Sequence, residues 1–159
     1  MTLTFVPVLA VLALIALDQT VKRIVFDYLQ PVAVVPFIDG FMDFCYVENK
    51  GAAFGIFQGG RWFFVLMTLL VVFIIGFYYV RLPRRKPYGW VRASMVLIMA
   101  GAVGNGVDRM LFGYVIDFIR VRFIEFPVFN LADIYLCTGT FLLAVLMIFF
   151  VKSNEAARV

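Results

Sequence analysis

The chain has 159 residues, 64% hydrophobic and 15% charged, with a mean hydropathy of +1.00; that is too apolar for a soluble domain, so lipid is the solvent it fits. The absence of histidine excludes Ser-His-Asp and Cys-His nucleophiles, imidazole-based zinc sites and the usual neutral-pH proton shuttle. The net charge of +4 reads as the basic cytoplasmic loops of a membrane protein rather than as a nucleic-acid patch.

A helix crossing about 30 Å of hydrocarbon needs roughly 20 mostly apolar residues. The first uncharged run predicts a span near residues 4–25. No basic residue precedes it and no A-x-A site follows, which reads as a retained anchor rather than a cleaved signal peptide. Residues 27–60 carry Asp27, Asp39, Asp43 and Glu48 against Lys50 alone. Within them Val32–Ile38 is β-rich, Asp39-Gly40 is a hairpin-turn dipeptide and Phe41–Val47 alternates, predicting two paired strands. Gly51, Gly55 and Gly59 have the G-x-x-x-G spacing of helix contacts, but they follow Glu48-Asn49-Lys50 in an outer loop. A short interfacial helix through Ala52–Phe57 fits better there than helix dimerisation.

The second span is predicted near 61–81 and the third near 92–112. Between them Arg81, Arg84, Arg85, Lys86 and Arg92 stand without an acid, which marks a cytoplasmic loop. Residues 27–60 and 113–130 are then external and both termini cytoplasmic. Lys22 and Arg23, at the outer end of the first span, run against this orientation and are outweighed by the five-residue cluster. Ala100, Gly101 and Gly104 form a small-residue row suited to close helix packing. Phe118–Phe126 alternates, with Arg120 and Arg122 opposite Ile119, Val121 and Phe123, and Pro127 closes that strand. The fourth span is predicted near 131–152. Cys45 and Cys137 lie far apart with no metal or redox spacing. The expected architecture is an all-α membrane protein of one domain, residues 1–159. Its four transmembrane helices carry a small β-sheet and a short interfacial helix on the extracytoplasmic side.

In so apolar a chain the informative residues are polar ones in or beside the spans, because a charge at a helix centre costs about 2.5–3.5 kcal/mol to insert. Asp18 and Lys22 are one turn apart in the first span. Asn105 precedes Asp108 and Arg109 by one turn in the third, Asp117 follows that span, and Asp133 opens the fourth. All converge on one membrane face. Asp18, Lys22, Asp108 and Arg109 sum to zero charge, so helix-tying ion pairs are one reading and a functional site is the other. Asn130 is placed to cap the fourth helix with Asp133 three residues on, where a helix N-terminus favours an anion. That account leaves Asp117 unexplained in its apolar run. Without histidine or a metal-ligand cluster, no cofactor is expected. Two carboxylates sharing one proton are the chemistry available: one activates a water while the other donates to a carbonyl, which hydrolyses amides. A transporter or proton channel using the same acids is the competing reading, but such sites favour the midplane between internal repeats, and no repeat is evident. A structural membrane subunit leaves Asp117 without a role.

Five blocks resemble bacterial lipoprotein signal peptidase (signal peptidase II): Asp18-Gln19-Thr20-Val21-Lys22; Asn49-Lys50-Gly51-Ala52-Ala53-Phe54-Gly55; Gly104-Asn105-Gly106-Val107-Asp108-Arg109; Val115-Ile116-Asp117-Phe118; and Phe126-Pro127-Val128-Phe129-Asn130-Leu131-Ala132-Asp133. The resemblance implies an intramembrane aspartic endopeptidase in the bacterial cytoplasmic (inner) membrane, with its active site on the extracytoplasmic face. It implies cleavage of diacylglyceryl-modified prolipoproteins before the lipidated cysteine, with Asp117 and Asp133 as the catalytic dyad. Asn49, Asn105, Arg109 and Asn130 would support the site. Gly51, Asp108, Asp18 and Lys22, within the same blocks, join them as candidate substrate-binding or support residues. Membrane lipid and globomycin-type peptide inhibitors are further implied partners. Ile134-Tyr135 after Asp133 departs from the small polar residue that many members carry there.

Overall fold

A computed structural model describes residues 5–51, 57–83 and 88–156 of the chain. Four helices, α1 (Phe5–Leu29), α2 (Arg61–Arg81), α3 (Gly89–Leu111) and α4 (Leu131–Ala156), are interleaved with strands β1 (Val34–Ile38), β2 (Met42–Asn49) and β3 (Val115–Val121). All four helices contain a stretch long and apolar enough to cross a membrane. They are not equivalent. In α3, 56% of that stretch is buried inside the protein, against 6% in α2 and 11% in α1, so α3 is the central helix and the others turn most of their surface outward.

Small residues let α3 take that place. A Cβ on Gly101 would collide with the Ala132 carbonyl and lie 2.8 Å from Leu136 of α4. At Gly104 it would lie 2.8 Å from the Asp18 carboxylate of α1, and at Gly106 2.7 Å from Thr68 of α2. The small-residue row read from the sequence is thus a set of close helix approaches, extended by Gly106 to the second helix.

The sheet is antiparallel in the order β1-β2-β3. Gly40, at φ +69°, makes the β1–β2 turn, where Phe41 N–H donates to the Ile38 carbonyl, as the Asp-Gly dipeptide predicts. Val25 of α1 packs with Ile116 and Phe118 of β3, joined by Phe26 and Leu29. This contact carries α1 four residues past its predicted end at 25, because the last turn has a sheet to bury against.

The third strand is displaced from its predicted position. It spans Val115–Val121 rather than Phe118–Phe126, since the apolar run before Arg120 pairs along β2 from Asn49 to Met42. Residues 122–125 form a turn. The chain returns through an isolated bridge from Phe129 to Ile119, so Pro127 lies beyond the strand rather than closing it. The shift puts Asp117 on the strand itself. β1 also starts two residues later than predicted, at Val34, after Ala33 adopts a left-handed φ of +66°. The expected interfacial helix falls on residues 52–56, outside the described residues, and Phe57 at its end sits in a turn with φ +56°.

Candidate active site

Asp117 and Asp133 reach the same place by different routes. Pairing of β3 with β2 sets Val47 opposite Asp117 and Asn49 two positions along. The Asn49 amide then donates to Asp117 Oδ2 at 2.8 Å. Asp133 comes from the first turn of α4, where it forms a reciprocal capping box: its N–H donates to Asn130 Oδ1 at 3.0 Å, and the Asn130 N–H donates to Asp133 Oδ2 at 3.1 Å. Asn130 also links the two acids, since its Nδ2 donates to Asp117 Oδ1 at 2.6 Å. The capping explanation of Asp133 and the site explanation are therefore one arrangement.

Asn105 of α3 completes the bridge. Its Nδ2 donates to Asp133 Oδ1 at 2.7 Å, and its Oδ1 accepts from Asn130 Nδ2 at 3.1 Å. Asp117 is 2% exposed and lies outside the spanning helices. Burial pushes its carboxyl up to about 7; the Asp133 charge acts the same way, against the Asn49 and Asn130 hydrogen bonds and the Lys22 charge. A carboxyl near neutrality beside a second carboxylate is suited to holding one shared proton.

Arg109 and Asp108, neighbours in sequence, point to different tasks. Arg109 Nη2 donates to the Gly51 carbonyl at 2.9 Å, with its guanidinium 4.4 Å from the Phe64 ring centre. The sequence left it between a helix-tying ion pair and a supporting role at the site, and the structure gives it a backbone carbonyl of this chain. Gly51 in turn donates its N–H to Asn49 Oδ1 at 3.0 Å, which directs the Asn49 Nδ2 toward Asp117. Asp108 pairs with Lys22 at 2.8 Å and accepts from Gln19 at 2.8 Å. Lys22 is also paired with Asp18 at 2.9 Å. The helix-tying group is thus Asp18, Lys22 and Asp108 without Arg109. Asp18 does a second job, accepting the Ala132 N–H at 3.0 Å and so capping α4 from α1.

The acids open on a cavity of about 620 Å³. Asn49, Asn105, Arg109, Asp117 and Asp133 line its polar end, while Phe64, Met67 and Val71 of α2 and Leu136 of α4 contribute apolar wall. Ile134 lines it as well, whereas Tyr135 is buried on α4 with no hydrogen-bond partner for its hydroxyl among the described residues. Sequence reasoning missed Gln19 and the α2 wall. Thr68, a lone threonine in the long apolar run of α2, was the available signal for that wall, since it lines the cavity. It also missed Asp43, 1% exposed and bonded at 2.5 Å to Arg120; their directly paired positions on β2 and β3 emerge only with the register.

A family model described as signal peptidase (SPase) II matches residues 10–149. The chain is 41% identical over 138 residues to a lipoprotein signal peptidase of Streptococcus thermophilus (strain CNRZ 1066), covering 87% of this chain and 89% of that one. It is 39% identical over 148 residues to a lipoprotein signal peptidase of Clostridioides difficile (strain 630), covering 93% and 98%. Two solved structures described as bacterial membrane enzymes, each 28% identical, superpose with TM-scores of 0.82 and 0.77. The first covers 94% of this chain and 90% of that one, the second 89% and 91%.

Proposed function

The chain belongs to the signal peptidase II family, and from that premise we propose that Asp117 and Asp133 are the catalytic dyad with which it cuts signal peptides from diacylglyceryl-modified prolipoproteins. The protein is a membrane-embedded aspartic endopeptidase acting on prolipoproteins. The observation that carries the dyad is the direct link of both carboxylates through Asn130, with Asp117 raised to about 7 in the lining of a largely apolar cavity.

In the reaction one carboxyl holds the shared proton and donates to the scissile carbonyl. The ionised partner takes a proton from water, whose oxygen attacks that carbon. Collapse of the tetrahedral species passes a proton to the leaving amine and restores the dyad. Asn49, Asn105 and Asn130 keep each carboxylate oriented. The Arg109 side chain holds Gly51, and through it Asn49, at the cavity edge. The apolar wall suits acyl chains, which favours a lipidated cysteine next to the cleaved bond and also a globomycin-type peptide as occupant.

The acid-free basic segment 81–92 supports cytoplasmic termini and a site on the extracytoplasmic face of the bacterial inner membrane. Lys22 no longer weighs against this orientation, because it is 2% exposed and ion-paired rather than a loop charge. Purified protein in lipid is expected to cleave a diacylglyceryl-modified prolipoprotein and spare its unmodified form. Equal cleavage of both would remove the lipid requirement, and cleavage of neither would overturn the assignment.

A further inference from the structure

Lys22 is buried on α1, yet its ammonium reaches the site. Its three N–H groups meet three acceptors: Asp18 Oδ2 at 2.9 Å, Asp108 Oδ2 at 2.8 Å and Asn105 Oδ1 at 3.0 Å. The Asp18 bridge lies within α1, one turn away, and the Asp108 bridge ties α1 to α3. The third fixes which way an amide points. An ammonium can only donate, so Asn105 must turn its oxygen toward Lys22 and its Nδ2 toward Asp133. A flipped Asn105 would set Nδ2 against two donors, Lys22 Nζ and Asn130 Nδ2, and its oxygen against the Asp133 carboxylate. The orientation of the Asn105 amide, and with it the hydrogen bond that Asp133 receives, therefore follows from one cation.

We infer that Lys22 is a positioning residue for hydrolysis: acting through Asn105, it aims donors at the Asp117–Asp133 pair and holds its charge behind them. This rests on the dyad assigned above. Asp117 faces Asp133 of α4, Arg109 of α3, Lys22 of α1 and the Cys45 thiol of β2. Among these Lys22 draws the Asp117 carboxyl back down, so that one member of the pair ionises at a lower pH than burial alone would allow.

Lys22→Met alone strands two buried acids and risks misfolding, whereas replacing a buried ion pair by uncharged groups of similar volume is often neutral for stability. The test variant is Asp18→Asn/Lys22→Met, which keeps an oxygen at position 18 for the Ala132 N–H and leaves one acid rather than two without its cation, Asp108, which still accepts from Gln19. It is read in lipid on a diacylglyceryl-modified prolipoprotein beside the unaltered enzyme. With the fold retained, kcat is expected to fall about tenfold or more with KM little changed. The acidic limb of kcat/KM should move upward by about half a pH unit or more. A folded variant with kcat within about twofold and an unmoved limb would show Lys22 to be a helix tie alone. Lys22→Arg supplies the second arm: it keeps a donor-only cation, so the acidic limb should stay in place even if kcat drops, and a displaced limb would overturn the inference. Inactivity of the unaltered enzyme would instead refute the dyad reading, so the two failures are distinguishable.

Discussion

Asp117 carries the sharpest consequences for single side chains. Asp117→Asn and Asp133→Asn are each expected to lower kcat by a thousandfold or so while membrane insertion and folding persist, because each removes one titratable member of a coupled pair. Near-normal turnover in either purified variant would refute the assignment. The sign of the pH dependence follows from the raised carboxyl. A group whose pKa is about 7 when folded and about 3.9 when unfolded contributes its stability fully below the lower value. That contribution is lost as pH rises through the interval. Thermal stability of the unaltered enzyme should therefore decline between about pH 4 and pH 7, and Asp117→Asn should flatten that decline, as differential scanning in detergent would show. These residues were legible because acids in an apolar chain stand out. Their partners were less so: that Asp108 turns to Lys22 while Arg109 turns to Gly51 depends on a difference of one helical position that spacing cannot resolve.

Among the elements, α3 decides whether the site assembles. Gly101 faces α4 backbone, whereas a Cβ at Gly76 of α2 would meet nothing within 4 Å. Gly101→Ala should cost at least about 2 kcal/mol, since backbone must move to admit the methyl group. Gly76→Ala should be neutral or stabilising by up to about 1 kcal/mol through helix propensity. Thermal unfolding of the two variants side by side checks the contrast, and equal stability would mean that α3 and α4 do not approach as described. Helix existence and the small-residue row were readable from hydropathy and composition. Strand boundaries were not, because the alternation after Asp117 fits more than one register and only pairing with β2 selects among them.

For the molecule as a whole, the proposed orientation in the membrane rests on the basic segment 81–92, and labelling from either side tests it. In a background lacking Cys45 and Cys137, cysteine introduced at Asp39, which is exposed at the hairpin turn, should react with an impermeant reagent outside the cell. Cysteine at Lys86 should react only once the cytoplasmic face is opened. Labelling of position 86 from outside would invert the topology and place the dyad on the wrong side of the membrane. Asp43 is unsuitable for such labelling although it belongs to the same outer stretch. It is buried against Arg120, a pairing hidden from the sequence by the many residues that separate the two.

The start of α4 is secured by groups that the helix does not own. Its Ala132 N–H is held by Asp18 from α1, and its Asp133 N–H by Asn130. The first amides of a helix have no partner within it and ordinarily exchange with solvent early. Here they open only if the site comes apart. Deuterium uptake at Ala132 and Asp133 thus becomes a clock for the integrity of the dyad, readable without substrate. Slow uptake is expected where the Asn130 link between Asp117 and Asp133 is assembled, and rapid uptake at these two amides, with the rest of α4 still protected, marks a protein that is folded but has lost the proposed site.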